Sequence, residues 1–165
     1  MDLKRFWRHV RMSPLTAARC FPAATLDAIQ QAVAASEQRH RGEVCFVVEA
    51  ELTTAQLWAE VSSRDRAREV FALHGVWNTE ENNGVLLYVL LADRRVEIVA
   101  DRGVDARVDA AAWAQTCRMM EGHFRAGRFQ EGAIAGVQAV SALLEAHYPA
   151  APGGKNELSD RPVMI

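Results

Sequence analysis

One stretch decides the fold of this 165-residue chain: residues 78–103 read NTEENNGVLLYVLLADRRVEIVADRG. Residues 85–92 are apolar at both sets of alternating positions, which predicts a strand that is covered on both faces. Asp93 and Arg94 then supply a turn, and residues 95–100 alternate between polar and apolar side chains. The two strands should therefore pair as an antiparallel hairpin.

A second buried strand is predicted at residues 43–50, EVCFVVEA, which are rich in β-branched and aromatic side chains. Helical patterns surround the strands, at residues 22–39, 54–61, 63–74, 110–126 and 129–147. Because helices separate strand 43–50 from strand 84–92, these two strands should be parallel neighbours joined by a right-handed crossover. The predicted fold is therefore α/β: a three-layer α/β/α sandwich with a small mixed sheet, made of a parallel pair plus the antiparallel hairpin strand.

The hairpin sequence NNGVLLYVLLADRRVEIVADRGV resembles the core signature of the TPM domain, and the resemblance extends over roughly residues 40–147. It implies an α/β/α module of bacteria and organelles, here a short bacterial member, often associated with membrane proteins. It also implies a phosphatase activity, which has been proposed for some plant members. The chain departs from the family pattern, since it shows no signal peptide, no transmembrane tail and no early strand before residues 22–39 that ends in an acidic residue.

Three segments are expected: a basic amphipathic N-terminal segment at 1–21, the TPM-like domain at 22–149 and a flexible tail at 150–165. Within residues 1–12, apolar Phe6, Trp7 and Val10 recur at helical spacing. Basic side chains lie between them, namely Lys4, Arg5, Arg8 and Arg11. This pattern fits a helix lying on an anionic membrane surface, and equally a helix packed on the domain with its basic face in water.

The composition excludes some function classes. A net charge of −2 and a pI near 6.2 argue against nucleic-acid binding, which requires a basic surface. The three cysteines are odd in number and form no CxxC motif, which indicates reduced thiols. These features predict a cytoplasmic protein, with a peripheral position at the inner membrane as the variant that the N-terminal segment suggests.

Carboxylates follow the parallel strands at the edge where ligands bind in open α/β sheets. Glu49 and Glu51 end the first strand, and Asp93 ends the second. Their oxygen atoms suit Ca²⁺ or Mg²⁺, and Arg94 beside them suits a phosphate contact. The alternative is that all four are turn and edge residues in water.

The opposite edge carries a second polar group, which the TPM signature includes. Its members are expected to fix the loop and the strand register, and they are Asn82, Asn83, Gly84, Asp101 and Gly103. His40, at the end of helix 22–39, is expected to be exposed. No catalytic residue is assigned, because the sequence contains no GxSxG, HExxH, P-loop or GxGxxG motif.

Two hypotheses of function follow. The first is a non-catalytic module that acts through a protein partner at the inner membrane, such as a membrane protein. The second is a divalent-metal-dependent phosphatase that uses the carboxylates at the sheet edge.

Overall fold

A computed structural model describes residues 2–152 and 155–165 of the chain. Its helices are α1 (Leu3–Arg11), α2 (Pro14–Cys20), α3 (Ala23–Glu37), α4 (Thr54–Trp58), α5 (Ser63–Leu73), α6 (Arg102–Asp105), α7 (Ala110–Arg125) and α8 (Phe129–His147). Its strands are β1 (Glu43–Glu49), β2 (Gly84–Leu90), β3 (Arg95–Ala100) and β4 (Val163–Met164). No helix in the described part of the chain is long and apolar enough to cross a membrane.

The strands form one mixed sheet in the order β3-β2-β1-β4. Strands β1 and β2 are parallel, with Glu43 opposite Gly84 and Glu49 opposite Leu90. Strands β2 and β3 are antiparallel, with Val85 opposite Ala100. The predicted parallel pair and the predicted hairpin are both confirmed.

Helices cover both faces of the sheet, as the apolar β2 sequence predicts. Val85, Leu87 and Val89 point into a core shared with α2, α3, α7 and α8. The alternate residues Leu86, Tyr88 and Leu90 point into a second core, formed with α1, α4 and α5. All seven residues of β2 are buried, because the strand lies between two helical layers. The α/β/α sandwich is confirmed.

The fourth strand was not predicted from hydropathy. It comes from residues 150–165, the segment expected to be a flexible tail. Val163 and Met164 pair in parallel with Val47 and Val48, and the amide of Ala50 donates to the carbonyl of Ile165 at 3.0 Å. A two-residue strand has too few positions to show a period of two, so only its pairing with β1 reveals it.

The N-terminal segment forms two helices, and α1 lies within residues 1–12, where the apolar side chains recur at helical spacing. The amide of Met12 closes α1 by donating to the carbonyls of Arg8 and His9. Ser13 then caps α2 by accepting from the amide of Thr16, and Pro14 occupies its first turn. Proline lacks an amide proton and clashes with the preceding turn, so one continuous helix could not pass this point.

Candidate functional site

The most elaborate polar cluster lies at the carboxyl edge of the sheet and is centred on Asp93. Arg5 of α1 donates from Nε and Nη2 to one carboxylate oxygen of Asp93, at 3.0 and 2.7 Å. His9 Nε2 lies 3.0 Å from the other oxygen. Burial alone would raise the pKa of Asp93, but the hydrogen bonds from His9 and Arg5 outweigh it and hold that pKa well below its ordinary value.

His9 is fixed in one tautomer by its surroundings. The backbone amide of Leu52 donates to His9 Nδ1 at 2.9 Å, so Nδ1 carries no proton. The proton of the neutral ring therefore lies on Nε2 and is donated to Asp93. With His9 only 1% exposed, this bridge fastens α1 to the loops that follow β1 and β2.

Glu49, at the end of β1, is also held by the chain's own donors. Arg66 of α5 donates from Nε to both oxygens of the carboxylate and from Nη2 to one of them, at 2.9–3.1 Å. The hydroxyl of Tyr88 donates to the same carboxylate. Hydrogen bonding to Glu49 raises the pKa of Arg66, and burial followed by the bond to Glu49 raises the pKa of Tyr88. Both partners therefore keep their protons at neutral pH.

The other two predicted site residues stand apart from these ion pairs. One carboxylate oxygen of Glu51 is buried and has no hydrogen-bond partner within the described residues. Glu51 lines a mainly apolar cavity of about 1000 Å³ beneath α2 and α4. Arg94 is exposed in the hairpin turn, with a backbone φ of 54°.

At the carboxyl edge, Glu49 and Asp93 are therefore paired with arginine side chains of the protein itself. Within residues 2–152 and 155–165, no group of three or more His, Cys, Asp and Glu side chains is placed to hold a metal ion. Arg5, His9 and Arg66 were missed as partners, since they lie 17 to 88 residues from the carboxylates that they bind. The Ca²⁺ or Mg²⁺ site at Glu49, Glu51 and Asp93 stays a prediction.

The outward side of α1 combines an apolar stripe with a basic one. Leu3, Trp7 and Val10 are 64%, 54% and 54% exposed. The basic side chains of Lys4, Arg8 and Arg11 are exposed next to them. The inward side carries Arg5, Phe6 and His9, so the helix is packed on the domain and also amphipathic toward solvent.

The TPM-like signature at the opposite edge forms a tightly packed corner. A Cβ atom at Gly84 would collide with the carbonyl oxygen of Val76, and one at Gly103 with the carbonyl oxygen of Asn82. Asn82 adopts a left-handed φ of 52°. The amide of Asp101 donates to the Gly84 carbonyl at 2.8 Å, which joins the two ends of the hairpin.

His40 was expected to be exposed, and this is wrong, because it is 2% exposed. The segment that follows α8 lies beside it, where the backbones of His40 and Pro149 form an antiparallel β-bridge. Asn83 is equally buried and donates from Nδ2 to the carbonyl of Arg41 at 2.5 Å.

Comparisons with known proteins agree with this architecture. A sequence model of the TPM domain matches residues 16–143. The chain belongs to the TPM domain family. A comparison with curated proteins gives no match. This TPM domain is similar to the solution structure of the BA42 protein from the psychrophilic bacterium Bizionia argentinensis, with 26% identity and a TM-score of 0.74 over 88% of this chain and 95% of that one.

A second similar structure is the N-terminal domain of a protein from P. gingivalis. It shares 23% identity with this TPM domain, with a TM-score of 0.64, over 81% of this chain and 83% of that one. At this identity the likeness shows the fold alone, and it places the same sandwich in a second bacterial protein.

Proposed function

We propose that this TPM domain is a non-catalytic module that lies on an anionic membrane surface, at the cytoplasmic side of the inner membrane, and acts there through a protein partner. The observation that carries the proposal is the outward side of α1, where Leu3, Trp7 and Val10 are more than half exposed. An apolar stripe bordered by basic side chains is the pattern of helices that lie in the membrane interface.

The anchoring of α1 supports this use of the helix. Arg5 and His9 bind Asp93, and this leaves Lys4, Arg8 and Arg11 for lipid head groups. Arg8 also reaches Asp93 at 3.3 Å but remains half exposed. Each basic residue near an anionic surface contributes about 1 kcal/mol, so the attraction is moderate and should weaken with salt.

The phosphatase hypothesis has less support from this structure. A metal-dependent phosphatase needs carboxylates that are free to hold a cation. Here Glu49 is bound by Arg66, and Asp93 is bound by Arg5 and His9. The partner protein is proposed from the family resemblance, which associates TPM domains with membrane proteins.

Sedimentation with vesicles tests the membrane proposal. The protein should pellet with anionic phosphatidylglycerol vesicles at low salt and remain in the supernatant with neutral phosphatidylcholine vesicles or at high salt. Trp7→Ala should reduce pelleting. Trp77→Ala is the matched control, because Trp77 is 55% exposed but follows α5 on the way to the amino end of β2.

Three results would contradict the proposal. They are no pelleting at low salt, equal pelleting with neutral vesicles, and equal losses in Trp7→Ala and Trp77→Ala. The last result would mean that α1 has no particular role in the attraction.

A further inference from the structure

The mainly apolar cavity beneath α2 and α4 has a volume of about 1000 Å³ and lies at the carboxyl edge of the sheet. Every residue from Glu49 to Thr54 lines it, so its floor is the end of β1 and the loop that leads to α4. Ligands in open α/β sheets bind at this end of the parallel strands. Small-molecule sites usually measure about 300–1000 Å³, so the cavity is large enough to admit a small organic molecule.

Apolar side chains from several elements surround the cavity. Phe21 follows α2, Leu26 lies in α3, Leu57 lies in α4 and Met164 lies in β4, and all four line it. An apolar group that enters leaves water on several sides at once, which favours its transfer into the cavity. The lining therefore fits a ligand whose body is an aliphatic chain or an aromatic ring.

The charged side chains of the lining leave one carboxylate without a cation. Glu49 and Arg66 are paired with each other at 2.9 Å. His9 is held between a backbone amide and Asp93. Glu51 also lines the cavity, and within residues 2–152 and 155–165 it has neither a hydrogen bond nor an ion pair. The side chains of the lining thus carry one uncompensated negative charge.

This charge determines which head group suits the ligand. Glu51 is only partly buried, so a ligand in the cavity can approach its carboxylate. A primary ammonium group carries the opposite charge and three N–H donors, which is the best match for a carboxylate. A carboxylate head group would instead add a second negative charge, because Arg66 is already bound to Glu49. A hydroxyl head group could donate one hydrogen bond but would leave the charge of Glu51 uncompensated.

We propose that this cavity binds a small primary amine with an apolar body, which lies against Phe21 and Leu57 while its ammonium group donates to Glu51. The site is separate from the outward stripe of α1, since Leu3 and Trp7 do not line the cavity.

Isothermal titration at pH 7 with three matched compounds tests the head group. Phenylbutylamine, phenylbutanol and phenylbutanoate share one apolar body, and each carries its head group at the chain end opposite to the ring. The amine should show saturable binding. The alcohol should bind about tenfold or more weakly, because it lacks the charge, and the carboxylate should bind more weakly still.

Single substitutions locate the site. Glu51→Gln should lower the affinity for phenylbutylamine to about that for phenylbutanol. Glu145→Gln is the matched control, because it makes the same change at an exposed position of α8 outside the cavity, and it should bind like wild type. Ala18→Trp should weaken all three compounds, because Ala18 lines the cavity from an exposed position of α2, where a large side chain can fill the space without disturbing the core.

Four results would overturn the proposal. They are no saturable heat with the amine, binding of the carboxylate as tightly as the amine, equal affinities in Glu51→Gln and Glu145→Gln, and unchanged binding in Ala18→Trp. The titrations contain no lipid, and Trp7→Ala should bind phenylbutylamine like wild type. The amine site and the membrane surface of α1 can therefore fail independently.

Discussion

Arg66→Met should destabilise the fold strongly, because it removes the cation that balances a buried carboxylate. The Glu49 side chain is 7% exposed and receives its charged hydrogen bonds from Arg66. Arg66 and Tyr88 both donate to Glu49 in the native protein, and after the substitution only the Tyr88 hydroxyl of these two remains. Removing one partner of a buried ion pair costs about 3–5 kcal/mol, since the other charge is left without compensation. That is a large part of the about 5–15 kcal/mol that stabilises a typical domain.

The measurement is the urea midpoint at pH 7, supported by thermal melting. For a domain of this size, 1 kcal/mol corresponds to about 2–4 °C, so the melting temperature should fall by about 6–20 °C. Arg68→Met is the matched control, two residues along α5. Its ion pair with Asp65 is 3.4 Å long, with both side chains more than 60% exposed, so the substitution should cost about 1 kcal/mol or less.

A double variant separates charge from packing. Glu49→Gln/Arg66→Met replaces the carboxylate by a neutral amide that can still bond to Tyr88, so it should recover most of the stability that Arg66→Met loses. Equal midpoints for Arg66→Met and Arg68→Met would refute the reasoning. A double variant that is no more stable than Arg66→Met would show that the loss comes from packing of the Arg66 stem.

Two further predictions concern the amino edge and the glycines. The pKa of Glu37 is raised from 4.5 to about 8, so the folded state retains a proton that the unfolded state releases, and stability should fall as pH rises from about 4.5 to about 8. Glu37→Gln should flatten this slope in urea unfolding at several pH values, and an equally steep slope would place the proton elsewhere. Gly84→Ala should lower the melting temperature, because the new Cβ would collide with the Val76 carbonyl, and Gly122→Ala in open space on α7 should stabilise by about 0.5–1 kcal/mol. The opposite order of these two melting temperatures would contradict the packing argument.

The parts of the fold that sequence predicts are those whose signal is local. The β2–β3 hairpin is encoded by consecutive residues, and several helix starts are marked by their capping residues. Thr53, Ser62 and Asp109 each accept a hydrogen bond from a backbone amide two or three residues ahead, as N-cap residues do. Because these interactions depend only on neighbouring residues, patterns in the sequence are enough to predict them.

The parts that sequence reasoning misses are set by contacts between distant segments. Asp93 follows a strand in an open sheet, a position that suggests a ligand site, yet its hydrogen-bond donors Arg5 and His9 come from α1, 84 to 88 residues earlier. His40 follows a helix and lies two residues before Gly42, a position that suggests exposure, yet it is 2% exposed and its backbone pairs with that of Pro149. Periodicity along the chain does not reveal such pairings, so the sequence patterns did not predict them.

The two edges of the sheet carry groups of opposite charge. Helix α1 brings Lys4, Arg8 and Arg11 to the carboxyl edge, and the amino edge carries Glu37, Glu43, Glu157 and Asp160. The seven residues of β1 separate the edges by about 23 Å, at the usual rise of a strand. At physiological salt the Debye length is about 8–10 Å, so these carboxylates repel an anionic surface at the other edge only weakly. A domain that rests on lipid through α1 would therefore direct these carboxylates away from the membrane.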